Sequence, residues 1–112
     1  MSFNYRDIMI AKNQFFGQVI ENCTPGCDGV GEVVAVGDGV DQWTINDRVA
    51  ATLFIGDTGA GITFDIAGTL IPSQNEPTGT LLQYRLYPAT SLVRVPETLS
   101  WEEAATLPCA GL

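Results

Sequence analysis

Two β-branched runs joined through a tight turn constrain this chain most. Residues 30–37, Val-Gly-Glu-Val-Val-Ala-Val-Gly, and residues 48–54, Arg-Val-Ala-Ala-Thr-Leu-Phe, have the length and composition of strands. Asp38-Gly39 between them is a turn pair. Asn46-Asp47 precedes the second run, where asparagine suits a residue at positive φ. Residues 80–87 and 91–95 are two more strand candidates, the second closed by Pro96. Helices are expected only near the ends. Phe3, Ile8, Met9 and Ala11 follow a loose helical spacing that predicts a helix over 4–11. Ser100 followed by Glu103 is a capping box that starts a helix at Trp101, and Pro108 should kink or end it. The expected fold is mainly β with short helices.

At 112 residues the chain is expected to be one domain, 1–112. Five glycines and two prolines between 56 and 79 mark a long connection with room for one strand near 62–66. Thirteen acidic against five basic side chains leave a net charge of -8, which disfavours nucleic acid and anionic membrane as partners. No apolar run approaches the roughly 20 residues of a membrane helix. No basic stretch followed by an apolar one opens the chain, so no secretory signal is visible. Three cysteines, an odd number without a framework spacing, fit a reducing compartment, and the cytoplasm is the expected location.

The chain has no histidine. Ser-His-Asp and Cys-His catalysis and imidazole-based zinc sites are therefore excluded within it. Gly59-Ala-Gly61 and Gly29-Val-Gly31 lack the third glycine of a dinucleotide-binding turn, with Phe64 and Val34 at that position. Cys23-Thr-Pro-Gly-Cys27 is at most half a metal site, and a Cys23–Cys27 disulfide is at odds with a reducing cytosol. Asp28 and Glu32 lie four apart, roughly 13 Å in an extended segment, too far to act on one atom. Both are expected to face solvent. Asn4-Tyr-Arg-Asp7 is either an active-site edge or a helix start capped by Asn4.

The ordered set of segments resembles the GroES-like N-terminal domain of medium-chain dehydrogenases/reductases, in the zinc-independent, quinone-reductase-like branch. Asn4-Tyr-Arg-Asp7 looks like that branch's Asn-x-x-Asp, and Pro25-Gly-Cys-Asp-Gly-Val-Gly31 like its Pro-Gly-Ser-Asp-x-x-Gly loop. Gly31–Gly37 followed by Asp47-Arg-Val49 is similar to the family's paired strands and Gly-Asp-Arg-Val turn, with Asn46 in place of glycine. Leu82-Gln-Tyr-Arg85, Leu92-Val-Arg-Val-Pro96 and Ala104–Leu112 complete the series.

The resemblance implies a GroES-like partial β-barrel truncated at both ends, lacking its usual first strands and any Rossmann domain. It implies the catalytic-domain portion of an NAD(P)-dependent oxidoreductase that binds no cofactor alone and uses NAD(P) only when joined to a Rossmann domain. In zinc-dependent relatives a cysteine, a histidine and a later cysteine hold a catalytic zinc beside a glutamate; by position these become Asn4, Cys27, Cys109 and Asp28. An amide at the first position makes zinc unexpected, so no metal is assigned. Asn4, Tyr5, Asp28 and Cys109 would line a pocket for a small-molecule substrate, with Tyr5, Cys27 and Asp28 as catalytic candidates. Two alternatives stay open: a repurposed domain doing cofactor-free isomerase, dehydratase or cyclase chemistry, and a non-catalytic binding or assembly module. Exposed strand edges would favour a homo-oligomer.

Overall fold

A computed structural model describes residues 1–14, 23–52 and 79–111. Their elements run α1 (Tyr5–Ala11), β1 (Val30–Glu32), β2 (Arg48–Ala51), a single 3-10 turn (Ala89–Ser91), β3 (Leu92–Arg94) and α2 (Trp101–Ala105). The strands form one antiparallel sheet in the order β1-β2-β3. The expected connection over 56–79, with its strand near 62–66, lies outside the described residues except at Gly79.

The middle strand is the one whose side chains most need cover. Val49, Ala50 and Ala51 of β2 are all buried. Its partners set the register: Ala50 lies opposite Val30 of β1 and Val93 of β3. Ala50, Val95 and Ala104 pack into a small core, with Val30 and Leu99 against it. Small side chains let α2 lie close to the sheet. Arg48 fastens that helix from the strand side: its guanidinium stacks over Trp101 at 4.2 Å and Nη2 donates to the Leu99 carbonyl at 2.9 Å. The α2 start is the capping box expected from Ser100 and Glu103. Glu103 N–H donates to Ser100 Oγ at 3.1 Å, and Ser100 N–H to Glu103 Oε2 at 2.9 Å. The helix ends at Ala105, ahead of Pro108.

The turns fall where their chemistry placed them. Asn46 has φ of 72° and Gly39 φ of 77°. Asp47 then closes its own turn, accepting from Thr44 N–H at 2.9 Å.

Two strand expectations require correction. The run 30–37 pairs only as far as Glu32, with Val33 N–H still donating to Asp47 O at 2.9 Å. Beyond it the partner chain has turned away, and Val34 is 57 % exposed. The run 80–87 forms no strand at all. Thr80 N–H donates to Gly26 O and Leu81 N–H to Pro25 O, both at 3.0 Å, but beyond them Leu86 is 92 % and Tyr84 74 % exposed, and no described strand pairs with this segment. β-propensity reports fit to a paired, half-covered surface and does not create one.

Arg94 on β3 forms a bidentate pair with Asp47, Nη2 lying 3.0 Å from Oδ2. These hydrogen bonds, with the Thr44 N–H, lower the Asp47 carboxyl from 3.8 to about 2. A carboxyl whose folded value is depressed contributes stability at pH above its unfolded value and loses it as protons bind. The expected result is a contribution intact above about pH 4 and lost between about pH 4 and 2. Urea midpoints of the wild type and Arg94→Gln across that window should converge as pH falls; a constant gap would show the pair to be inert.

Candidate functional site

One carboxylate ties together three parts of the chain far apart in sequence. Asp28 lies just before β1 and is fully buried, at 0 % exposure. Its Oδ2 accepts from the Asn4 side-chain Nδ2 at 2.7 Å, and its Oδ1 accepts from the Cys109 backbone N–H at 2.6 Å. Its carbonyl accepts from Ser2 N–H at 3.2 Å and from Thr80 Oγ1 at 3.0 Å. The expectation that Asp28 faces solvent is thus overturned. Glu32 is exposed on β1, as expected. The donors that draw Asp28 inward come from α1 and from the turn after α2.

Asn4 has a double role. It stands at the N-terminus of α1, where its backbone N–H donates to Asp7 Oδ2 at 2.8 Å. Its side chain meanwhile reaches inward, with Nδ2 3.2 Å from Cys27 Sγ as well as 2.7 Å from Asp28. The helix-start reading of Asn4-Tyr-Arg-Asp7 thus holds through the backbone, while the Asn4 side chain joins the Cys27–Asp28 cluster. Asp7 was a missed participant. It is buried at 8 % exposure, and its Oδ1 accepts from Gly26 N–H at 3.1 Å, fixing the 23–29 loop to the helix. The Asn-x-x-Asp spacing was the signal that could have found it. Gly26 itself has φ of 96°, a conformation that suits glycine.

Cys27 is buried at 2 % exposure. Its Sγ, an Asp28 carboxylate oxygen and Cys109 Sγ all lie within 4.8 Å of one another. Burial pushes the Cys27 thiol from 9.0 up to about 11, and the neighbouring Cys109 and the Asp7 and Asp28 carboxylates push the same way. Of the sequence candidates, Asn4, Cys27, Asp28 and Cys109 converge. Tyr5 does not join them; it opens α1 at 76 % exposure on the outer surface. Cys23 is half-buried and free. A separate concavity of about 390 Å³ lies between β2, β3 and the α2 end. Val95, Leu99, Ala104, Leu107 and Pro108 give it an apolar wall adjoining Cys109 in sequence.

The donor set is a poor fit for zinc. Two thiols and a carboxylate could in principle supply three ligands. However, an amide N–H₂ is directed at both Cys27 Sγ and Asp28 Oδ2, and amide nitrogen is a donor with no lone pair to offer. The remaining carboxylate oxygen is held by the Cys109 N–H. A metal would have to compete with these hydrogen bonds at Cys27 Sγ and at both Asp28 oxygens.

Residues 1–97 match the alcohol dehydrogenase GroES-like domain. The chain belongs to that family. A zinc-type alcohol dehydrogenase-like protein of Schizosaccharomyces pombe is 32 % identical over 111 residues, covering 99 % of this chain and 32 % of the relative. A trans-enoyl reductase of Pyrenochaetopsis is 37 % identical over 84 residues, 73 % of this chain and 19 % of the relative. A highly reducing polyketide synthase of Glarea lozoyensis is 32 % identical over 107 residues, 95 % of this chain and 3 % of the relative. The chain thus spans about a third or less of the length of these relatives. As a GroES-like domain it is of the alcohol dehydrogenase and enoyl reductase type of oxidoreductase, a family that is NAD(P)-dependent and binds the dinucleotide on a separate domain. The sheet with few short helices accords with this domain type. Among the described residues, no helix is long and apolar enough to cross a membrane.

Proposed function

We propose that this chain is the substrate-side, metal-free catalytic portion of an NAD(P)-dependent medium-chain oxidoreductase acting on a carbonyl or activated alkene. The observation that carries the reading is the Asn4 amide, placed between Cys27 Sγ and Asp28 Oδ2, with Cys109 closing the cluster. A neutral donor stands where the zinc-type pattern has a ligand. It holds the buried Asp28 side chain by a hydrogen bond.

The nicotinamide supplies hydride chemistry when bound by its own domain. This chain's part is to form the wall facing it. Asn4 keeps its inward amide fixed through Asp28, and Tyr5 beside it is exposed. Asp28 itself acts as a positioning residue, because N–H donors already occupy both of its oxygens. That arrangement weighs against the cofactor-free alternative, which needs an acid or base free to exchange a proton with substrate.

The test is calorimetric titration of the 112-residue chain with NADPH and NADH, beside turnover assays on enones and aldehydes. The reading expects no micromolar binding and no turnover by the chain alone. Fusion to the dinucleotide domain of the fission-yeast relative should restore consumption of reduced nicotinamide. Micromolar binding by the chain alone, or conversion of substrate without nicotinamide, would overturn it.

Self-association belongs to the same reading. In the described sheet β1 and β3 are the outer strands, and each has an edge that pairs with no other described strand. Open edges are templates for pairing with another chain. Light scattering at micromolar concentration should find a dimer or larger; a monodisperse 12.0 kDa monomer would refute the idea.

A further inference from the structure

Two thiols from distant parts of the chain share the Asp28 cluster. Cys27 and Cys109 bring their Sγ atoms within 4.8 Å of each other. They come from the loop before β1 and the turn after α2, so the contact is tertiary and owes nothing to sequence spacing. The Asp28 carboxylate keeps the Cys109 backbone in place at 2.6 Å, which holds the sulfurs in register. Asn4 fixes the Cys27 side from the other direction. Both thiols are unbonded in the structure.

We propose that Cys27 and Cys109 form a redox-active pair, converted to a disulfide by hydroperoxides. The two differ in access: Cys27 is 2 % exposed, whereas Cys109 is half-buried and reachable from solvent. A hydroperoxide therefore meets Cys109 first. Its sulfur attacks the peroxide, the O–O bond breaks, and Cys109 becomes a sulfenic acid while an alcohol, or water from hydrogen peroxide, leaves. The Cys27 sulfur then attacks the sulfenic sulfur, its proton goes to the departing hydroxyl, and the S–O bond breaks to release water as the S–S bond forms. The thiols together lose two electrons and the peroxide is reduced by two. Cys27 is a poor target for bimolecular attack because it is buried. A sulfenic acid held within 4.8 Å removes the need for an encounter.

Closing the bond requires the sulfurs to approach from within 4.8 Å to about 2.05 Å. The link would span the whole sheet in sequence and tie the α2 turn to the Asp28 loop. It would also take Cys27 Sγ from the Asn4 amide. Oxidation thus acts on the arrangement that positions Asn4, independently of whether a nicotinamide domain is present.

The experiment treats the full chain with hydrogen peroxide at neutral pH and then with a dithiol reductant. Thiols are counted after unfolding, and the cross-link is located by non-reducing peptide mass mapping. The expected result is a fall from three titratable thiols to one, a loss of two hydrogens per chain, and a single linked peptide pair containing Cys27 and Cys109. The reductant should reverse all three. Cys23→Ser should retain the link, with two thiols falling to none, whereas Cys27→Ser and Cys109→Ser should each leave no intramolecular link. In Cys27→Ser a dimedone-trapped sulfenic acid on Cys109 should accumulate, a readout that does not depend on native stability of the linked form. A cross-link through Cys23, links only between chains, or over-oxidation of Cys109 in the wild type without any cross-link would overturn the proposal.

Discussion

Replacing Asp28 with alanine is expected to destabilise the chain by about 3 kcal/mol, enough to threaten folding at 37 °C in a domain of this size. The carboxylate is wholly buried and satisfies the Asn4 amide and the Cys109 backbone N–H through separate oxygens. Each donor left unmet in the interior costs roughly 1–3 kcal/mol, and the vacated volume adds a cavity term. Relief of the carboxylate's own desolvation offsets part of that sum, which is why the estimate stays near the lower end. Asp28→Asn keeps the shape but presents a donor to one of two donors, so it should lie between alanine and wild type. Glu32→Ala, four residues on and exposed, should change stability by less than about 0.5 kcal/mol. Urea denaturation compares the four proteins directly. A second arm isolates the contact: the Asn4→Ala, Asp28→Ala double-mutant cycle should show a coupling on the order of 1 kcal/mol or more. Equal losses for Asp28→Ala and Glu32→Ala would mean that the buried carboxylate holds nothing together.

The contrast between Asp28 and Glu32 also marks the limit of what the sequence shows. The Ser100–Glu103 capping box, the positive φ at Asn46 and the Gly39 turn were legible because their partners lie within four residues. β2 was legible because Val49, Ala50 and Ala51 are apolar and buried together. The segment 80–87 has the composition of a strand, yet no described strand pairs with it, and composition cannot reveal a missing neighbour. Asp28 failed for the opposite reason. Its surroundings arrive from Asn4 on α1 and from Cys109, 81 positions away, and local spacing is silent about both. What did anticipate the convergence was the family pattern. It placed Asn4, Cys27, Asp28 and Cys109 at corresponding positions, but not their hydrogen bonds. Tyr5 shows the converse: adjacency to Asn4 in sequence does not bring it into the cluster, because Asn4 is the extended residue before α1 and Tyr5 the first residue of the helix, 76 % exposed.

Replacing Asn4 with cysteine should convert the cluster into a zinc site. The expected gain in zinc affinity is on the order of 100-fold, the equivalent of about 2.7 kcal/mol. The argument rests on what the amide does. Its Nδ2 hydrogens occupy lone pairs on Cys27 Sγ and Asp28 Oδ2 that a metal would need. A thiol in its place removes that competition and adds a soft ligand suited to zinc. The remaining donors already lie within 4.8 Å of one another, whereas thiolates about 2.3 Å from a tetrahedral zinc stand about 3.8 Å apart. Only a modest contraction is needed. Zinc should also reverse the preference of Cys27 for its protonated form, since coordination favours thiolate over the buried thiol. Binding should therefore release protons, measurable as a buffer-dependent enthalpy in calorimetry. Substituting cobalt should give an intense thiolate-to-cobalt absorption in Asn4→Cys and little in wild type. Asn4→Ala separates the two contributions: it removes the blocking donor without adding a ligand, so its affinity should fall between the others. If wild type binds zinc as tightly as Asn4→Cys, the amide does not keep metal out, and the metal-free reading of this site fails with it.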